Sequence, residues 1–160
     1  MNLRTRVLAC VMCGCLLGSV GCKKKQPVAA DLYNDAAQVN TRLPYPVLDW
    51  RAITTAVDRG AGTTSTLFGN DAAVTAARAG QAYPAGAVLG LVTWRQKDDS
   101  HWFGGRIPDA PESVEFVAYG SAPTYRRFAG SPLAEQADSG GPARIAAIKG
   151  IEGIKIVRLP

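Results

Sequence analysis

The chain has 160 residues, of which 47% are apolar and 19% charged, and its formal net charge is +5. This length and composition are typical of one globular domain and leave too little chain for two full domains. The positive excess lies near the N-terminus: without Arg4, Arg6 and Lys23–Lys25, 13 of the 18 basic residues remain, against 13 acidic residues. The domain itself is therefore neutral. We expect no nucleic acid as a partner, since such a surface needs a basic patch with interleaved aromatic residues.

The first segment has the features of an export signal. Arg4 and Arg6 precede an apolar run from Val7 to Val20, which is too short to span a membrane but has the size of a secretory signal. The run ends at Ser-Val-Gly-Cys over 19–22, which resembles the lipobox of bacterial lipoproteins, although serine stands in place of the usual leucine. We therefore expect Cys22 to carry acyl chains such as palmitate and to bind membrane lipid. A plainly cleaved signal and a retained anchor are the alternatives.

This interpretation predicts a lipoprotein signal peptide over residues 1–21, an acylated tether over 22–30 and a single domain over 31–160. The protein would then be exported and anchored to a bacterial membrane, with its domain facing the periplasm or the cell exterior. Three other cysteines, Cys10, Cys13 and Cys15, fall within the signal. The domain thus contains no cysteine for a disulfide or a zinc site.

The clearest pattern of the domain runs from Thr63 to Trp94. Before it, Asp31–Asn40 has the composition of a weak helix, and residues 47–57 are typical of a helical turn that leads into a strand. The run itself predicts a strand over 63–68, a helix over 71–79 capped by Asn70 or Asp71, a turn over 83–86 and a buried strand over 87–94.

The helix of this run has a face of small residues. Ala73, Ala76 and Ala77 share one side at helical spacing, while Thr75 and Arg78 lie on the other. We expect the alanine side to pack closely on the sheet.

The remaining pattern completes an α+β fold with an antiparallel sheet of about five strands and two or three short packed helices. Its predicted elements are a polar hairpin loop over 95–100, a loop over 107–111, strands over 112–120 and 125–129, a turn-rich stretch over 134–142, a helix over 143–149 and a final strand over 154–159.

The most reactive side chains of the domain lie between residues 101 and 106. His101 is the one histidine of the chain and stands beside Trp102 and Phe103. A single histidine excludes a site with several histidine ligands for zinc, and a Ser-His-Asp arrangement would need a Gly-x-Ser-x-Gly elbow that is absent from the sequence. For His101 we consider three roles: a structural or surface residue, a pocket-lining residue, or the single ligand of a haem.

The sequence TLFGNDAAVTAARAG followed by YPAGAVLGLVTW resembles the core motif of the cytochrome P-460 family. The resemblance covers roughly residues 47 to 130, and it implies the same α+β fold. Members of that family bind a c-type haem through Cys-x-x-Cys-His near the C-terminus, and some oxidise hydroxylamine or bind nitric oxide there. Residues 131–160 contain neither cysteine nor histidine. We therefore predict no covalently attached haem.

These observations leave three hypotheses for function. The favoured one is an anchored envelope module that has lost covalent haem and binds a small apolar or planar ligand, or a second copy of itself as a homodimer. The second is a redox or nitric-oxide-related protein that binds haem non-covalently, with His101 as ligand and a pocket formed by Trp102, Phe103, Arg106 and Phe116. The third is a structural interaction module. The mature chain holds no nucleophile, metal or c-type haem motif, which favours a role other than catalysis.

Overall fold

The computed structural model of the protein describes residues 33–137 and 140–151. The chain divides into two units, Met1–Tyr33 and Asn34–Pro160, and the helices and strands described here belong to the second. Six strands form one antiparallel sheet in sequence order, and two α-helices accompany it. This arrangement confirms the predicted α+β class, with a sixth strand beside the expected five.

The strands are β1 Arg51–Asp58, β2 Thr63–Gly69, β3 Val88–Asp98, β4 Arg106–Ala118, β5 Thr124–Ala129 and β6 Ala134–Gln136. The helices are α1 Asp71–Ala79 and α2 Gly141–Ile151, and two short 3-10 helices span Asp35–Ala37 and Val47–Asp49. None of the helices within these described ranges is long and apolar enough to cross a membrane.

Helix α1 has the bounds expected from the sequence, and Asn70 is its cap. The Asn70 Oδ1 accepts from the backbone N–H of Ala73 at 3.0 Å and also from that of Val88 at 3.1 Å. The Asn70 Nδ2 donates to the Gly86 carbonyl at 2.9 Å. One side chain therefore holds the start of α1, the turn before β3 and the first residue of β3 together.

The side of α1 that faces the sheet is close to the expected one. Ala73 and Ala76 are buried as predicted, Val74 is buried in addition, and Ala77 is only half-buried. The backbone of β2 comes so near that a Cβ at Gly69 would lie 2.9 Å from the Cβ of Ala73. Small residues at this contact let the helix approach the sheet closely.

The sheet has two packed faces. Its aromatic face is covered by the segment 37–50, and its main buried residues are Val92, Trp94, Val114, Phe116 and Phe128. Its helical face is covered by α1 and α2, and its main buried residues are Leu67, Ala73, Leu89, Leu91, Val117 and Ile148. Because both faces are covered, β3 is buried on both sides, as its continuous apolar run indicated.

The hairpin between β3 and β4 is longer than expected. The polar loop predicted over 95–100 is mostly strand, since β3 runs to Asp98, and the loop predicted over 107–111 is wrong because those residues belong to β4. Strand β5 pairs with β4 only from Ser113 onward. Pro108 and Pro111 thus lie where one edge of β4 has no strand partner and where its register with β3 shifts, which are positions at which a sheet tolerates proline.

Towards the two ends of the domain, one expectation fails, one is modified and one lies outside the described residues. The helix predicted over Asp31–Asn40 is only the 3-10 turn Asp35–Ala37 within the described residues, because this segment is held by tertiary contacts such as Trp94 Nε1 to the Ala37 carbonyl at 2.8 Å. The turn-rich stretch after residue 134 begins with the short strand β6. The predicted strand over 154–159 lies outside the described residues.

A buried carboxylate ties α2 to the helical face. Glu115 in β4 is 2% exposed, and its two oxygens accept from Arg144 Nε at 2.6 Å and Arg144 Nη2 at 2.7 Å. The Tyr125 hydroxyl donates to the same carboxylate at 2.5 Å. Burial raises the pKa of Glu115, but the hydrogen bonds from Arg144 and Tyr125 outweigh it, and the net pKa lies below its ordinary value. Burial and the hydrogen bond to the carboxylate raise the pKa of Tyr125.

Replacement of Arg144 should expose the dependence of the fold on this cluster. We expect Arg144→Met to lower the free energy of unfolding by about 2 kcal/mol at neutral pH, because a buried carboxylate loses its main partner while Arg144 itself is half-exposed. Urea denaturation measures this loss. The matched control is Arg126→Met, which removes a similar two-bond pair with Glu135 on the exposed surface and should cost little. Equal losses in both variants would contradict this account.

The loss of unfolding free energy caused by Arg144→Met should depend on pH. Because the folded pKa of Glu115 is lowered from its ordinary value of 4.5, the stabilisation is present above pH 4.5 and is lost as the pH falls through the folded pKa. The stability difference between the wild type and Arg144→Met should therefore shrink on acidification below that value. A difference that grows in acid would contradict the assignment to Glu115.

Candidate functional site

The candidate site lies at the end of the sheet where the hairpin of β3 and β4 turns. Strand β3 pairs with β2 as far as Arg95 opposite Thr63, and the Gln96 N–H donates to the Gly62 carbonyl at 2.9 Å. Beyond this point β3 and β4 continue as a pair to Asp98 and Arg106. The turn over 99–105 is held by internal hydrogen bonds, including Gly105 N–H to the Trp102 carbonyl at 2.9 Å. Gly104 adopts a φ of +74°, which glycine accommodates without strain.

His101 lies on this turn and is exposed. Its backbone N–H donates to Asp99 Oδ1 at 2.8 Å, and its Nδ1 lies 3.1 Å from Ser100 Oγ and 3.6 Å from Asp99 Oδ1. The next two side chains point into solvent: Trp102 is 74% exposed and Phe103 is fully exposed. We call Trp102 and Phe103 the aromatic tip.

The structure does not bring all five predicted pocket residues together. His101, Trp102, Phe103 and Arg106 share the turn and the first residue of β4. Phe116 is 1% exposed and packs in the aromatic face against Tyr45 and Phe128. Cys22, the predicted lipidation site, lies outside the described residues.

A cleft opens beside the turn on the aromatic side of the sheet. Its volume is about 630 Å³, and it is lined by Val57, Arg59, Thr64, Gln96, Gly104, Arg106 and Pro108. We call it the arginine cleft. Gln96 Nε2 donates to Thr64 Oγ1 at 2.8 Å, which fixes the amide on its floor.

The two guanidinium groups set the chemistry of the arginine cleft. Arg106 Nε lies 3.4 Å from Asp98 Oδ1, a long contact between largely exposed side chains, and no hydrogen bond or ion pair engages Arg59 within the described part of the chain. Arginines with donors left over bind carboxylate or phosphate groups through paired N–H contacts. The cleft can therefore hold a small anion, with the Gln96 amide and Thr64 hydroxyl as further hydrogen-bonding groups.

A second, smaller groove of about 340 Å³ follows the covering segment and is lined by residues 39–49. All of its walls come from one short stretch of chain, which includes Arg42 and Asp49 as its charged side chains. This groove lacks groups that converge from different elements, and we assign no site to it.

Neither sheet face fits a haem. On the aromatic face, Val47 presses so closely on β3 that a Cβ at Gly90 would lie 2.4 Å from Val47 Cγ2 and 3.3 Å from Phe116 Cε1. The helical face is filled by α1, α2 and the Glu115 cluster. The histidine of the chain lies on the exposed turn, outside both faces, and the described residues contain no cluster of three or more His, Cys, Asp or Glu suited to a metal. The described residues thus form no porphyrin pocket on either face of the sheet.

Sequence reasoning missed two features of this part of the molecule. Gln96 was assigned to a polar loop, although the pairing of β1, β2 and β3 places it, with Arg59 in the turn after β1, beside Arg106. The ion pair of Glu115 with Arg144 was also missed, since 29 residues separate the two. The one local signal was Glu115 itself, a charge at a buried position in an otherwise apolar strand.

Comparison with known proteins identifies the domain. The family model described as Cytochrome P460 matches residues 45–130, which is more than half of the chain. The match begins in the covering segment and ends just after β5, so it contains the strands that form the arginine cleft and the aromatic tip. A search of curated proteins found no match. The chain therefore belongs to the cytochrome P460 family.

Proposed function

We propose that the protein is a membrane-anchored lipoprotein whose cytochrome P460 domain has lost covalent haem and binds a small anion in the arginine cleft. Membership of the family suggests haem binding in general. The observation against it in this chain is the placement of His101 on an exposed turn, while both sheet faces are filled by the chain's own side chains.

One further feature argues against covalent haem, and another argues against non-covalent haem. The sequence lacks Cys-x-x-Cys-His, and its cysteines all fall at or before residue 22. A non-covalent haem would need a pocket beside His101, and the nearest cavity is the arginine cleft, whose lining is polar. Haem binding usually requires a cavity with mostly apolar walls.

Titration with haem tests this part of the proposal. We expect the purified protein to give no saturable shift of the Soret band, no hydroxylamine oxidation, and the same spectra for the wild type and His101→Ala. The reason is that an exposed imidazole on a turn offers the iron a ligand without an enclosing pocket. A tight Soret shift that disappears in His101→Ala would overturn the proposal and assign haem binding to this turn.

The anchoring rests on the sequence around Cys22. An apolar export signal ends at this cysteine, and three lysines follow it. Two acyl chains give stable membrane attachment, whereas one chain alone gives only reversible binding. The neutral charge of the domain leaves the acylated tether as the main attachment.

Replacement of Cys22 tests the anchoring. We expect Cys22→Ala to remove the acyl mass and to release the protein or stall its processing, because the modified sulfur is gone. Mass spectrometry and membrane fractionation measure the two effects. The control is Cys15→Ala, which lies inside the signal and should leave processing unchanged. An unchanged mass and partition in Cys22→Ala would contradict the lipoprotein assignment.

The ligand class follows from the two arginines of the cleft. Inorganic phosphate is the simplest probe, and we expect it to bind saturably to the protein in calorimetry without any vesicles present. Arg59→Gln should weaken this binding about tenfold, the effect of losing one charge-assisted contact. Arg78→Gln is the control, because Arg78 is exposed on α1, away from the cleft. Equal weakening by both variants, or no saturation, would contradict an anion site here.

A further inference from the structure

The aromatic tip is presented by a stiff projection of the sheet. Beyond Arg95, the hairpin extends by three more residue pairs, which corresponds to about 10 Å. Its turn is closed by Asp99 N–H to the Gly105 carbonyl and by Gly105 N–H to the Trp102 carbonyl, both at 2.9 Å. The exposure of Trp102 and Phe103 is therefore built into the hairpin. Large apolar side chains held in water in this way mark a surface that another apolar phase covers.

The chain enters the domain at the stem of the same hairpin. Asn34, the first residue of the second unit, donates from Nδ2 to the Pro108 carbonyl at 2.5 Å. Its Oδ1 accepts from Lys97 Nζ at 3.3 Å. Lys97 and Pro108 both belong to the projecting part of the hairpin. Asn34 itself is thus held at the end of the sheet that carries the aromatic tip.

The length of that segment limits how far the tip can be from an anchor. Cys22 lies twelve residues before Asn34, and a fully extended chain of this length spans at most about 40 Å. If Cys22 holds acyl chains in a bilayer, the tether joins the domain at its hairpin end, which then lies within about 40 Å of that bilayer. This step rests on the proposed lipoprotein anchor.

The charges around the stem suit contact with lipid. Arg106 lies 3.4 Å from Asp98, and Lys97 lies 3.4 Å from Asp109, so the basic side chains of the stem each have an acidic neighbour. With Asp99 of the turn included, residues 97–109 carry two basic and three acidic side chains, so the stem has no excess of positive charge. Tryptophan and phenylalanine are side chains that insert at the boundary between head groups and acyl chains.

We propose that the aromatic tip, Trp102 and Phe103, inserts into the phospholipid bilayer as a second membrane contact beside acylated Cys22. The domain would then be held in a fixed orientation, with the hairpin end toward the lipid. The apolar insertion of the tip should depend little on salt, whereas a dependence on the fraction of anionic lipid would report the arginine cleft beside the tip.

A fluorophore attached near the tip tests the proposal on the full chain. Processed protein is expected to have no free thiol once Cys22 is acylated, so Phe103→Cys can be labelled with an environment-sensitive dye and reconstituted into phospholipid vesicles. We expect a blue shift, a several-fold brightening, and quenching when the vesicles contain brominated lipid. The control is Ala122→Cys in the exposed turn between β4 and β5, at the opposite end of β4, whose label should remain in water.

The outcomes distinguish a failure of tip insertion from a failure of the lipid anchor at Cys22. The mass of the labelled protein reports the acylation of Cys22 independently, and vesicles added to the protein give the answer for the tip in either case. A label at position 103 that behaves like the one at 122 would overturn the insertion while leaving the anchor intact. A blue shift that brominated lipid does not quench would assign the tip to a second copy of the chain and would also overturn the proposal.

Discussion

The fold depends on the side chain of Asn70, which uses its acceptor and its donor at the same time. The acceptor holds the first turn of α1 and the first N–H of β3, and the donor holds the carbonyl of Gly86. An aspartate could cap the helix but has no N–H to give, and a serine is too short to reach both partners. Since β3 is the strand on which both packed faces and the long hairpin are built, the position of the candidate site follows from this one amide.

Local chemistry explains which parts of the fold were predictable. The bounds of α1 follow from a cap at Asn70 and a left-handed glycine at Gly80, both of which act within a few residues. The failure over residues 107–111 has the opposite origin. Proline normally argues against a strand, and Pro108 and Pro111 are accommodated here by the unpaired outer edge of β4 and by the register shifts between β4 and β3. That edge is a property of the whole sheet, which the segment's own sequence does not contain.

The distinction between local and long-range interactions also applies to the candidate site. Grouping Phe116 with Trp102 assumed that aromatic residues near a histidine share a pocket, but ten residues of strand separate Phe116 from Arg106, which is about 33 Å. The register of β4 with its neighbouring strands determines which face of the sheet each of its side chains occupies. Within β4, Phe116 faces the aromatic core while its neighbour Glu115 faces α2, and no pattern in the sequence says which helix supplies the partner of that carboxylate. Long-range pairing therefore created both the arginine cleft and the Glu115 cluster.

The packing of the sheet also determines where this chain can bind anything. Val47 seals one face against Gly90, and the contact of α1 with Gly69 seals the other, so additional volume at either face would require the removal of these contacts. Among the described residues, the hairpin end combines an open cleft with the point at Asn34 where the chain enters the domain. A family fold can keep its strands and helix while its binding chemistry moves to another surface. In this member both faces of the sheet are filled, and the arginine cleft and the aromatic tip both lie at the hairpin end. A ligand held in the cleft would therefore sit beside the surface that the tip contacts.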